Sequence, residues 1–297
     1  MKNQYIGDVG DYGKYSLLRE VANAGVRVGV NWYLTEDDGS NDGKHTSYLK
    51  NDKLRRYSPE VFDTLSQVAF KADKSVLDIQ HRDIIPGAIF YSDILKPEGN
   101  PKSREQIREK WFNRSVSELK EAELVFLDPD NGLLEGNDPS KLGAEKYALP
   151  DEVERYFNEG HNVVYYCHKG RRTYDLWMSY KSLMFERIHG AKPTILTFHK
   201  GTQRSYVFLI HQEDYIRYRK IIDRFTYIWH PIFSEEFTSL GDVSREKVGE
   251  AFTLEKTDGT IVTIQMCADG RIQMKSSKEK NMSHIVKVDY FCKCLGL

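Results

Sequence analysis

Cysteine is scarce in this chain. Cys167, Cys267, Cys292 and Cys294 are its only four, too few and too clustered to staple a domain of this size with disulfides. Such sparing use fits a reducing compartment, so a cytoplasmic location is expected. Long apolar runs are missing too. No stretch approaches the roughly 18 residues needed to cross a bilayer, and residues 1–10 have no apolar block behind a basic start, so neither membrane insertion nor secretion is expected. Charge of one sign is also lacking, with 43 Lys and Arg against 44 Asp and Glu and a net charge of -1. Any affinity for nucleic acid must therefore come from local patches rather than from a global field. Tandem repeats and low-complexity tracts are absent, and Cys292-Lys293-Cys294 lacks the paired spacing of a zinc site.

What is present is an alternation of helical and strand patterns. The 297 residues suffice for one sizeable core with an appendage. Residues 14–24 carry Leu17, Leu18, Val21 and Ala22 at helical spacing, with Gly25 as the stop. Residues 27–34 read as a strand ending in a polar loop at 35–43. Residues 75–79 and 88–91 are expected to be short strands, and 102–122 a helix carrying Ile107, Trp111 and Leu119. The continuous apolar run 124–127 suits a strand covered on both faces, and it stops abruptly at Asp128-Pro129-Asp130-Asn131-Gly132. A helix at 151–158, a strand at 162–167 and a helix at 174–188 burying Leu176, Trp177, Tyr180, Leu183, Met184 and Ile188 continue the alternation. The spacing predicts an α/β fold, a Rossmann-like and mainly parallel sheet with helices on both faces. Residues 194–198 and 206–210 are joined too briefly for a parallel crossover, which predicts an antiparallel terminal hairpin. After a helix at 213–225, Pro231 and the Ser/Glu-rich stretch 234–239 break the pattern. Residues 1–235 are thus expected to form a Rossmann-like catalytic domain, and 236–297 a small β-rich appendage built on the Asp-Gly turns at 258–259 and 269–270.

In an open α/β sheet the ligand crevice lies beyond the C-terminal strand ends. Loops 35–43, 128–132 and 168–172 should converge there, with 199–204 as a fourth wall. Asp128 and Asp130 are the strongest signal, because a carboxylate ending a buried strand can orient an amine, accept a proton or hold a divalent cation. The competing reading is an Asx turn in which Asp130 or Asn131 caps the following backbone. His168-Lys169-Gly170 and His199-Lys200-Gly201 repeat a pattern, each followed by arginine: Arg171 and Arg172 after the first, Arg204 after the second. Cationic donors beside a flexible glycine make a phosphate clamp, unless those heads are simply solvated. Ahead of the first helix, Lys14 and the helix N-terminus could receive an anion, opposed by Asp8 and Asp11, and Asp11 is alternatively a helix cap. Thr35, Asp37, Asp38 and Asp42 belong to a polar loop that either contacts a ligand or is solvated. It lacks the terminal Glu of a calcium hand.

Three segments carry a resemblance: Asn3-Gln-Tyr-Ile-Gly-Asp-Val-Gly-Asp-Tyr-Gly-Lys-Tyr-Ser-Leu-Leu-Arg19, Trp32-Tyr-Leu-Thr-Glu-Asp-Asp-Gly39 and Phe126-Leu-Asp-Pro-Asp-Asn-Gly-Leu133. Together they resemble an uncharacterised family of bacterial proteins over roughly residues 3–210. More distantly, residues 7–18 are similar to the N-terminal segment of the ribosomal-RNA adenine-N6 methyltransferases. In those enzymes a lysine of this segment lies near the active site, and an Asp-Pro-Pro-Tyr loop follows the fourth strand. The resemblance implies Lys14 for that lysine and Asp128-Pro129 for the start of that loop. It departs at Asp130 and Asn131, where the second Pro and the aromatic ring are replaced, and at Thr35-Glu36-Asp37-Asp38, where a glycine-rich cofactor turn is expected.

Three functional expectations follow. The first is a methyltransferase-like enzyme acting on a nucleotide or nucleic acid with S-adenosylmethionine, in which Asp128, Asp130, Asn131 and Lys14 are catalytic. Asp11, Thr35, Asp37 and Asp38 would then serve the cofactor, and the His-Lys-Gly loops would hold phosphate. The second is a phosphoesterase or nuclease dependent on Mg²⁺, in which Asp128 and Asp130 hold the metal. The third is a catalytically inactive Rossmann-like subunit that meets a protein partner through residues 236–297.

Overall fold

The strongest local determinant of the fold is β3 (Leu124–Leu127), whose four side chains are all buried. Leu124 and Phe126 point into one core, and Val125 and Leu127 into a second on the opposite face of the sheet. Period-two alternation of apolar residues on both faces requires helices on both sides. Burying one such side chain contributes about 1.5–3 kcal/mol. The computed structural model describes residues 1–40, 43, 45–236, 247–255, 261–267, 271–277 and 283–287.

Around β3 the chain builds a doubly wound sheet. β1 (Val28–Asn31), β2 (Ile89–Tyr91), β3 and β4 (Asn162–His168) run parallel in the order β2-β1-β3-β4. Helices α1 (Val9–Asn23), α2 (Pro59–Val68), α3 (Val76–Gln80) and α7 (Tyr215–Trp229) supply Tyr12, Leu17, Phe62, Ile79 and Phe225 to one core. Helices α4 (Pro101–Glu118), α5 (Pro150–Asn158) and α6 (Tyr174–Lys181) supply Trp111, Tyr156 and Trp177 to the other. β5 (Lys192–Phe198) and β6 (Arg204–Ile210) form the antiparallel hairpin the short connection required. β6 is inserted against β4, and β5 lies outside it against β7 (Phe233–Glu236).

Three local expectations are corrected. Residues 75–79 form helix α3 rather than a strand, because the Asp78 carboxylate accepts the Ser75 N–H at 3.1 Å and caps a helical turn. The helix at 174–188 ends at Lys181, and Leu176 is exposed while Trp177, Tyr180 and Met184 are buried. Asp8, not Asp11, caps α1, accepting the Gly10 N–H at 2.8 Å, so the helix starts before Lys14 and carries it in its second turn.

Beyond β7, strands β8 (Lys247–Glu255), β9 (Ile261–Cys267), β10 (Arg271–Ser276) and β11 (Ser283–Lys287) pair antiparallel in sequence order. They join the main sheet through one pair, His284 opposite Glu236. Asp258, Gly259, Asp269, Gly270, Cys292 and Cys294 lie outside the described residues. Among the described residues no helix is long and apolar enough to cross a membrane.

Candidate functional site

The strand order reverses between β1 and β3, since the chain leaves β1 for β2 on one side and crosses back to β3 on the other. Ligand crevices in doubly wound sheets form at such a point, outside the C-terminal strand ends. There a cavity of about 540 Å³ opens, lined by Asp11 and Lys14 of α1, by residues 128–131, and by Tyr166, His168, Arg204 and Tyr206 of β4 and β6. This is a volume typical of small-molecule sites.

Its floor is a buried charge cluster. Lys14 Nζ lies 2.7 Å from Asp128 Oδ2 and 2.8 Å from Asp11 Oδ1, and all three residues are no more than 5% exposed. Burial pulls the Lys14 ammonium down, but the two carboxylates outweigh it and hold its pKa above the ordinary lysine value. Asp11 is displaced upward by burial, with Asp128 and Asp8 adding to the rise against the opposing pull of Lys14. Its other oxygen accepts the Gly7 N–H at 3.0 Å. Asp130 meets a different cation: the Met1 amino nitrogen stands 2.8 Å from its Oδ1 and donates to the main-chain oxygens of Tyr33 and Asp128 at 3.0 Å each. Gly132, at φ +88°, takes the left-handed conformation of the turn that follows these carboxylates.

The hairpin supplies the opposite wall. Arg204 Nη1 pairs with Asp8 Oδ1 at 3.0 Å, and a Cβ on Gly10 would lie 1.1 Å from that nitrogen. Gly10 is therefore what lets the guanidinium lie over the first turn of α1. His168 sits opposite Arg204 in the β4–β6 ladder. Burial, with Arg172 and Arg204 nearby, holds the His168 imidazole below the usual histidine pKa, Asp130 opposing.

The sequence-derived candidates thus divide. Asp11, Lys14, Asp128, Asp130, Asn131, His168 and Arg204 are brought together. Thr35, Asp37 and Asp38 instead fasten the N-terminal residues: Thr35 N–H donates to the Met1 carbonyl at 2.9 Å, Asp37 accepts the Gln4 N–H at 3.1 Å, and Asp38 pairs with Lys2 and Gln4. The bonds from Lys2 and Ser40 hold the Asp38 carboxyl well below its ordinary value. Asp42 lies outside the described residues. From that loop and its flank, Gly43 and His45 reach the cavity. Arg172 lies over the Tyr180 ring at 3.8 Å and near Glu135 at 3.6 Å, and His199 meets Ser234 at 2.7 Å. Lys169 is half-buried, Arg171 and Lys200 are exposed, and none of these five lines the cavity. Tyr5, Tyr166 and Tyr206 line it without having been singled out. Strand alternation carried the only signal for the last two, since a tyrosine at the C-terminal end of one strand opposite another is ordinary core composition as well.

No protein-family model matches the chain, and no curated protein matches it. Among solved structures, the chain is similar to protein LPL1258 from Legionella pneumophila str. Philadelphia 1, described by the family model DUF519. The likeness covers 77% of this chain and 95% of that one, at 12% sequence identity and a TM-score of 0.39.

Proposed function

We propose that the chain is a methyltransferase-like enzyme acting on a nucleotide or nucleic acid. The observation that carries this reading is Lys14 bound between Asp11 and Asp128 at the floor of a cavity at the strand-order reversal. Those are the positions that the resemblance to ribosomal-RNA adenine-N6 methyltransferases implies for an active-site lysine and the start of the Asp-Pro loop. The lining also suits S-adenosylmethionine, whose amino-acid and sulfonium groups carry both signs of charge: carboxylates at Asp8, Asp11, Asp128 and Asp130 face cations at Lys14 and Arg204. When bound, that cofactor supplies the methyl group.

The residues of the chain do the remaining work. Asp128 accepts an N–H of the substrate amine and directs its lone pair, and Lys14 holds that carboxylate in place. Exposed Arg171 and Lys200, on the loops that follow β4 and β5, offer contacts to the phosphates of a longer substrate. A phosphoesterase dependent on Mg²⁺ draws less support, because Asp128 already faces the Lys14 ammonium. Among the described residues, moreover, no three His, Cys, Asp or Glu side chains converge as a metal-holding group.

Calorimetric titration of the full chain with S-adenosylmethionine, S-adenosylhomocysteine and Mg²⁺, each alone and with oligonucleotides, tests the assignment. Binding of either adenosyl compound without Mg²⁺ is the expected result. Binding of oligonucleotide only with Mg²⁺, and of neither adenosyl compound, would transfer the assignment to the phosphoesterase.

A further inference from the structure

β4 presents two rings to the cavity from one face, Tyr166 and His168, because residues two apart on a strand project alike. Their planes are 20° apart with centroids 6.3 Å apart, and Tyr206 flanks Tyr166 at 6.2 Å. The register Leu127 opposite Tyr165 carries Asp128 to the side of Tyr166 away from Tyr206. Across the floor this sets a row of Asp128, Tyr166 and Tyr206. His168 Nδ1 is buried and has no hydrogen-bond partner.

We propose that Tyr166 and His168 form the ring-binding wall of this cavity and take a flat nitrogen heteroaromatic group, a nucleobase. The base would stack on Tyr166 beside the His168 ring, its edge directed at Asp128. Aromatic faces hold bases in this way with little regard to base identity. The inference rests on the nucleotide-directed reading above and adds to it the residues that hold the base. Asn131, which stands where the resemblance expects a ring, has none to offer.

The test is titration of the full chain with the four ribonucleosides and a mixed-sequence single-stranded oligonucleotide, with S-adenosylmethionine titrated in parallel. Tyr166→Leu and His168→Leu are each expected to weaken nucleoside or oligonucleotide binding roughly 10-fold, the loss of one ring from the stacking wall. Tyr166→Phe, which keeps the ring, should remain within about 3-fold of the parent. If a leucine variant does not fold, ¹⁵N-histidine spectra of the unaltered chain replace it, and the His168 ring signals should shift as nucleoside is added. Unchanged binding in both leucine variants, or unmoved His168 signals at saturating nucleoside, overturns the proposal and leaves the methyltransferase reading standing. Binding of S-adenosylmethionine without any nucleoside or oligonucleotide has the same consequence. Binding of none of these ligands overturns both.

Discussion

Lys14 and Asp128 are 114 residues apart in sequence, yet the lysine ammonium stands 2.7 Å from the carboxylate, joining the first helix of the chain to the end of its central strand. Asp11, one helical turn before Lys14, takes the same ammonium at 2.8 Å. One cation therefore serves two buried carboxylates. Lys14→Met should leave both without it and cost about 3–5 kcal/mol, the penalty for breaking a buried ion pair from one side. Urea unfolding measures it. Adding Asp128→Asn to the same chain should recover part of the loss, because it removes one of the stranded charges.

Asp128 and Asp130 should separate by function. Asp128→Asn keeps the shape but removes the charge facing Lys14, and transfer of methyl from S-adenosylmethionine to a nucleic-acid substrate should fall at least ~100-fold, the usual scale for a positioned proton acceptor. Asp130→Asn, whose carboxylate faces the Met1 nitrogen, should retain most turnover. Equal loss of Mg²⁺-dependent phosphoester cleavage in both variants would favour the metal reading instead.

Gly10→Ala should fold, because the atom its Cβ would meet is the end of a flexible side chain, Arg204 Nη1. The guanidinium must nevertheless leave Asp8, and anionic ligands should bind more weakly with Arg204 displaced. Arg204→Lys, which is shorter and lacks the fork, should behave similarly. Calorimetry against oligonucleotide at two salt concentrations reads the effect.

His168 gives a pH signature with a definite sign. Its pKa in the folded chain lies below the ordinary histidine value of about 6.5, so between the two values the unfolded chain binds more protons and stability rises with pH. The contribution is complete above the ordinary histidine range and is lost as pH falls through it. Thermal midpoints from pH 8 to pH 5 should decline less steeply in His168→Gln than in the parent. A parallel decline would mean that the imidazole is not penalised on burial.

A chain ending after residue 236 should stay folded. Arg219 forks onto Glu235 at 2.7 and 2.8 Å, and Glu236 pairs with buried Lys181 and Thr197, so β7 is fastened to the main sheet from within. Among the described residues, the later strands pair with it at one register position, His284 opposite Glu236. Loss of cooperative unfolding on truncation would show that residues 237–297 contribute to the same core.

Much of the sheet was legible because its signals are local. The run 124–127 can only be comfortable covered on both faces, and the brief connection between 198 and 204 forbids a parallel return, so β3 and the β5–β6 hairpin follow from adjacent residues. The segment at 75–79 misled because its apolar residues fit a strand as well as a helix, and the Ser75–Asp78 cap that decides between them is a polar signal. The phosphate-clamp expectation divided for a different reason. His168-Lys169 and His199-Lys200 look alike in sequence, but His168 ends a strand beside the crevice, whereas His199 lies past the end of β5 and turns to Ser234.

The sequence alone therefore determined the α/β class, the reversed hairpin and the abrupt polar turn after β3 at 128–131, since periodicity and turn chemistry act over a few residues. It did not determine which charges meet. Lys14 with Asp128 and Arg204 with Asp8 are products of strand order and of the docking of α1 beside the strand ends. Only the folded sheet lines up the ends of β3, β4 and β6 beside the first turns of α1, and burial there makes each unpaired charge too costly to leave alone.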